Sequence, residues 1–240
     1  AIDTQFVIGS NYSYTIDPFV NKPNSTGLYF NGVADFSGNV AGLLIPEDPA
    51  TGKRSLFGAS ISQYIKAQTD LRYFIELNPK TRLANRLLLG FGYPYGNSQQ
   101  LPYIKQFFIG GNNSIRAFRS RSVGPGTYRA PNADSLSFFP DQSGDIKLEM
   151  NTELRYKFNK ILEGAIFLDA GNIWLYNKDT SIVNPRPGVQ FSKDFMRELA
   201  VGTGIGLRLD LTILLLRLDL GMPLREPWLP PGQRWVINQI

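Results

Sequence analysis

The sequence predicts an all-β fold, an antiparallel β-barrel that crosses a membrane with its strands. Three observations lead there. About eight segments alternate apolar and polar residues with the period of two that marks a half-buried strand. Most run to a dozen residues or so, longer than the roughly five or six usual in globular sheets and suited to a tilted membrane crossing. The connections after the first, third, fifth and seventh segments are short and the others long, as in outer-membrane barrels with tight turns at one rim and long loops at the other. A soluble β-sandwich with one solvated face gives no reason for that alternation.

The segments follow in order. Gln5–Ile16 sets Phe6, Ile8, Tyr12, Tyr14 and Ile16 against Gly9, Asn11, Ser13 and Thr15. A turn with two prolines leads to the second, Gly27–Phe36, and a Gly- and Pro-rich loop leads to the third, Ala59–Asn78. Its odd positions are mostly apolar (Ile65, Leu71, Tyr73, Ile75), its even ones mostly polar (Lys66, Asp70, Arg72, Glu76). Asn78-Pro79-Lys80 reads as a tight turn. Arg82–Tyr95 sets Leu87, Leu89, Phe91 and Tyr93 against Arg86, Gly90 and Gly92. The cleanest alternation is Asp145–Phe158, with Leu148, Met150, Leu154 and Tyr156 opposite Glu149, Asn151, Glu153 and Arg155. Leu162–Trp174 places Ile166, Leu168 and Trp174 opposite Glu163, Phe167, Asp169 and Gly171. Ala200–Leu211 opposes Val201, Ile205 and Leu207 to Gly202, Gly204, Gly206 and Arg208, and a minimal turn near Thr212 leads to Ile213–Gly221. Successive charges on the polar face fit a wet lumen. Tyr73, Tyr93, Tyr156 and Trp174 near strand ends fit an interfacial girdle.

Composition narrows the functions. The 240 residues include no cysteine and no histidine, which excludes a Ser-His-Asp triad, a Cys-His dyad and thiolate or imidazole metal sites within this chain. The net charge of +5 is spread singly along strands, with no basic helix or cluster, so nucleic acid is not an expected partner. No apolar run approaches the ~20 residues of a membrane helix. No G-x-S-x-G stands in the sequence, and a hydrolase built on Glu153 and Asp169 alone is the only enzymatic alternative.

The unexplained stretch is Lys105–Gly126, KQFFIGGNNSIRAFRSRSVGPG, inside the longest connection, about 97–144. A connection of that length in a compact domain is functional or disordered. Phe107, Phe108, Ile109, Ile115 and Phe118 make it a loop that packs into something. If it enters the lumen, Arg116 needs an acidic partner, because a shielded, unpaired guanidinium is costly. Glu153 and Asp169 on the next two strands have the lumen phase. The alternative is that Arg116 is a solvated surface arginine and Asp169 an ordinary lumen charge.

Ile115-Arg116-Ala117-Phe118, preceded by Gly110-Gly111, resembles the signature loop of the BamA/TamA superfamily of outer-membrane assembly barrels, with Ala117 where the family usually has glycine. Phe167-Leu168-Asp169-Ala170-Gly171 resembles that family's F-x-D-x-G strand, and Gly204-Ile205-Gly206-Leu207-Arg208 its G-x-G-x-R strand. The form IRAFRSRSVGPG followed by DQSGDIKLEMNTELRYKF is similar to the TamA-like lipoprotein branch of Bacteroidetes. The resemblance implies that Arg116 tethers the loop to Glu153 and Asp169 inside the lumen. Gly171, Gly202, Gly204 and Gly206 would leave room on the inner wall. It further implies a barrel of about sixteen strands, of which this chain would be the C-terminal half, without its periplasmic POTRA domains, early strands and last strand. The implied function is non-enzymatic assembly of outer-membrane proteins in the bacterial outer membrane, through a seam that opens laterally. Its partners would be membrane lipids, unfolded outer-membrane clients and accessory periplasmic or lipoprotein subunits, and it would need no metal or cofactor. A two-partner-type secretion pore and a passive diffusion porin are the alternatives.

Overall fold

The computed structural model describes residues 5–19, 25–49, 52–131, 142–179, 185–211 and 213–237. The predicted turn at Thr212 and part of the predicted loop 97–144 lie outside these residues. The strands are β1 (Gln5–Phe6), β2 (Gly9–Ile16), β3 (Gly27–Ser37), β4 (Ser55–Leu56), β5 (Ala59–Ile61), β6 (Tyr64–Asn78), β7 (Thr81–Pro94), β8 (Ile146–Lys157), β9 (Leu162–Trp174), β10 (Ala200–Asp210) and β11 (Leu215–Arg225). One short helix, α1 (Asn39–Leu44), follows β3. The fold is all-β, and the eight long strands form one antiparallel sheet in the order β11-β10-β9-β8-β7-β6-β3-β2.

The alternation written in the sequence divides this sheet into two faces. Outward positions stay apolar and exposed: Ile166 is 62% exposed, Ile205 58% and Leu218 66%. An apolar surface that extends across a whole sheet is suited to contact with lipid or a partner. The opposite face carries Asp70, Glu149, Glu153 and Asp169, all buried. Register keeps the two sets apart, because slipping any strand by one residue would exchange its faces. β2 and β11 are the two edges of this sheet.

Two predicted strands are broken where the sequence shows continuous alternation. Ile61 and Tyr64 are both fully buried, which a regular strand cannot arrange at a spacing of three. The chain therefore leaves the ladder at Ser62 and Gln63, whose amides donate to Phe6 O and Ser98 Oγ, each at 3.0 Å. The first predicted strand breaks at Val7-Ile8, and β1, β4 and β5 form a separate three-stranded sheet. The girdle is corrected at one position. Tyr73, Tyr93 and Tyr156 are exposed, but Trp174 is fully buried. Its ring meets Phe191 edge-on at 5.4 Å, and its indole N–H donates to Glu198 Oε2 at 2.5 Å.

Candidate functional site

The described part of the long connection between β7 and β8 lies across the charged face. A single turn of 3-10 helix, Tyr103–Lys105, stands early in it. Lys105 Nζ donates to Asp35 Oδ2 on β3 at 2.6 Å, and this carboxylate holds the ammonium above the ordinary lysine value. Phe107 then pairs with Gly144 in an isolated antiparallel bridge, which fastens the two ends of the connection together. Gly110 and Gly111 follow at φ of 100° and 90°, a backbone that disfavours any side chain. A Cβ at Gly110 would stand 2.2 Å from Arg119 O. The reversal lets Gly111 N donate to Phe118 O at 2.8 Å and Arg121 N to Ile109 O at 3.0 Å. Residues 109–121 are thus a closed loop with its own backbone bonds.

Burial fixes that loop to the wall. Phe107, Ile109, Ile115, Phe118 and Val123 cluster with Ile173 of β9 and Ala200 of β10, with Ala117 and Trp228 packed against them. The Phe118 and Trp228 rings meet edge-on at 6.0 Å. The wall admits these side chains where it carries glycine. A Cβ at Gly171 would stand 2.6 Å from Ile109 Cδ1, and one at Gly202 would stand 2.4 Å from Ala117 Cβ. Gly90 gives the same room to Phe107 and Gly221 to the backbone of Ala117. Gly204 and Gly206 face other neighbours: the nearest side-chain atoms are those of Phe167 and Asp219.

Arg116 sits at the centre of the polar contacts. Its backbone N–H donates to Asp169 Oδ2 at 3.0 Å, its Nε to the same oxygen at 2.8 Å, and its Nη2 to Oδ1 at 2.8 Å. Its Nη1 donates to Glu153 Oε2. The guanidinium carbon lies 3.5 Å from the centre of the Phe167 ring, stacked on the residue between the two acids. The arginine side chain is 5% exposed and the two carboxylates 7% and 0%. Burial would depress the arginine, but Asp169 and Glu153 more than offset it and hold it above its ordinary value.

The network reaches further than the sequence reading. Asn151 Nδ2 donates to Asp169 Oδ1 and to Ser114 O, each at 2.9 Å. Ser114 Oγ donates to Glu149 Oε2 at 2.5 Å and accepts from Gly110 N at 3.1 Å. Arg155 and Arg208 both donate to Glu153 Oε1. The missed residues carried one signal in the sequence, the shared phase of 149, 151, 153 and 155 along β8. Phe167 had that phase too, as the apolar residue of the polar face. Asp169 and Glu153 each accept at least three hydrogen bonds from the protein, which hold both carboxylates in place.

The model of the Omp85 superfamily domain matches residues 8–238. Over 117 residues the chain is 26% identical to the outer membrane protein assembly factor BamA of Neisseria meningitidis serogroup B, a match that spans 47% of this chain and 14% of that protein. The crystal structure of BamA from Haemophilus ducreyi lacking POTRA domains 1–3 aligns with a TM-score of 0.64 at 19% identity, over 89% of this chain and 38% of that one. The structure of CdiB from Acinetobacter baumannii aligns at a TM-score of 0.44 and 17% identity, over 90% of this chain and 38% of that one.

Proposed function

The chain belongs to the Omp85 superfamily, and from that premise we propose that it forms part of the wall of a non-enzymatic barrel that inserts proteins into the bacterial outer membrane. The observation that supports this reading is the docked loop. Residues 109–121 close on themselves, wedge apolar side chains against glycines of the wall, and fix Arg116 to β8 and β9. A loop tied to one part of the wall stiffens that part and leaves deformation to the rest. The sheet has two edges, β2 and β11, and in a membrane every edge hydrogen bond must be paired. In this reading the docked strands are the rigid side of a barrel whose seam opens elsewhere, and an incoming client strand adds to an opened edge by β-augmentation. The partners are then unfolded outer-membrane clients, the surrounding lipid and accessory periplasmic or lipoprotein subunits.

Reconstitution tests the proposal. The protein is placed in liposomes, an unfolded outer-membrane client is added, and the client's folding is followed by its heat-modifiable migration in electrophoresis, with ion conductance measured in parallel. Faster client folding than in protein-free liposomes is the expected result. Unchanged client folding together with a steady open conductance would replace assembly with a pore.

A further inference from the structure

The short-turn rim of the sheet holds a second cavity, which shares Arg155 and Arg208 with the network around Glu153. A cavity of about 860 Å³ opens there beside the β6–β7 and β8–β9 turns and the rim ends of β10 and β11. Its basic lining is Lys80, Arg155, Lys157, Lys160, Arg208 and Arg217, and its acids are Glu163 and Asp210. The excess of four positive charges is most of the net charge of +5 that the whole chain carries.

The sheet register makes this concentration costly. Arg208 of β10 stands directly opposite Arg217 of β11, and Arg155 of β8 directly opposite Arg82 of β7. Like charges at facing positions destabilise a ladder. Neighbouring carboxylates offset part of the cost: Arg217 Nε reaches Asp219 Oδ2 at 2.6 Å, and Arg155 Nε donates to Glu153 Oε1 at 2.6 Å. Among the described residues, Arg155 and Arg217 pair with no carboxylate beyond these two, and Lys80, Lys157 and Lys160 form no ion pair. Donors of this kind match a phosphate, which offers several oxygens and accepts guanidinium bonds two at a time.

The remainder of the lining is apolar. Phe158, Ile161 and Leu215 border the cavity and are 56%, 50% and 62% exposed. The Phe158 ring packs edge-on against Tyr156 at 5.2 Å, so it continues the outward stripe of β8. A basic recess joined to a membrane-facing apolar stripe complements a molecule with a phosphate head and a hydrocarbon body.

We propose that this rim cavity binds the phosphate headgroup of an anionic phospholipid. Arg155 and Arg217 would hold the phosphate oxygens, the three lysines would supply long-range attraction, and Phe158 and Ile161 would border the acyl chains. The proposal needs only that the chain sits in a membrane, and it stands or falls separately from the assembly reading.

Native mass spectrometry of the detergent-solubilised protein tests it, with phosphatidylglycerol, phosphatidylcholine and inorganic phosphate titrated in turn at low salt. The wild type should retain phosphatidylglycerol in preference to phosphatidylcholine. K80Q/K157Q/K160Q should lose on the order of a hundredfold in that affinity, from the attraction each basic residue has for an anionic lipid surface, while K80R/K157R/K160R should keep it. Arg217→Gln, a single change on another strand, should lose about fivefold on the same scale. Equal retention of phosphatidylglycerol by the wild type and both glutamine variants would overturn the site. Displacement of the lipid by inorganic phosphate at equal concentration would overturn the lipid assignment and leave an ion site.

Discussion

Replacing Arg116 with alanine removes three side-chain hydrogen bonds to two carboxylates and the stacking on Phe167. All three charged side chains are at most 7% exposed, so water does not substitute freely for the lost guanidinium. Breaking a buried pair by deleting one partner costs about 3–5 kcal/mol. The lower end applies here. Asp169 keeps the backbone N–H of residue 116 and the Asn151 amide, and Glu153 keeps Arg155 and Arg208. A loss of about 3 kcal/mol corresponds to a population of undocked loop raised roughly a hundredfold. Hydrogen exchange reads this directly, because protection reports local opening free energy. The amides of Gly111, Arg116 and Arg121, bonded to Phe118 O, Asp169 and Ile109 O, should exchange faster by about that factor. The β8–β9 ladder should stay protected. Asp169→Asn should give a similar change, and the double variant should be little worse than either single one, since residues in one contact do not add. Unchanged protection of 109–121 in Arg116→Ala, or additive losses in the double variant, would refute the reasoning.

Three further predictions follow from neighbouring contacts. Gly202→Ala should undock the loop, because its methyl would meet Ala117 Cβ at 2.4 Å; Ala117→Gly in the same chain should restore amide protection. Trp174→Phe keeps the packing against Phe191 but leaves Glu198 without its indole donor, a loss of about 1–3 kcal/mol; exchange of the 190–199 amides should rise while the rest of the sheet is unaffected. Because Asp35 raises the Lys105 ammonium, their contribution is complete below the ordinary lysine value of about 10.4 and fades as pH climbs through the higher folded value. Proteolysis of residues 95–106 should therefore stay flat through neutral pH and rise only in strong alkali, while Lys105→Gln should show the faster rate at every pH.

The strands were legible because both of their environments are extreme. Lipid on one side and a charged interior on the other leave little freedom in the alternation, so β8 and β9 read cleanly from Ile146 to Trp174. The loop was only half legible from its residues: Arg116 stands among Ile115, Ala117 and Phe118, and a guanidinium in apolar company needs carboxylates, but a solvated surface arginine fitted the same residues and only the resemblance of the segment weighed against it. Position 167 was harder to read. An aromatic on the polar face looks like an error of phase until the guanidinium is placed over it. Trp174 misled in the opposite sense. Its phase is outward, yet Phe191 and Phe195, far along the chain, cover it, and no local pattern encodes that cover. The break at Ser62-Gln63 was hidden likewise, because the partners of those amides, Phe6 and Ser98, lie far away in sequence.

The loop and the wall must be read together. The two requirements of the loop pull in opposite directions: a charged centre wants a close, water-free fit, and a close fit leaves no room for side chains on the wall. The chain resolves this by placing glycine at 90, 171, 202 and 221, under Phe107, Ile109 and Ala117. The methyl of Ala117 fits because both Gly202 and Gly221 lack one. Glycine in a strand interior weakens the ladder and adds unfolded-state entropy. Strands β9–β11 therefore depend on the loop for the packing that their own side chains do not supply, and the loop depends on them for the carboxylate and the glycines that hold Arg116 in place. Each half of that contact packs against the other, so a single methyl at position 202 should have an effect comparable to deleting the arginine.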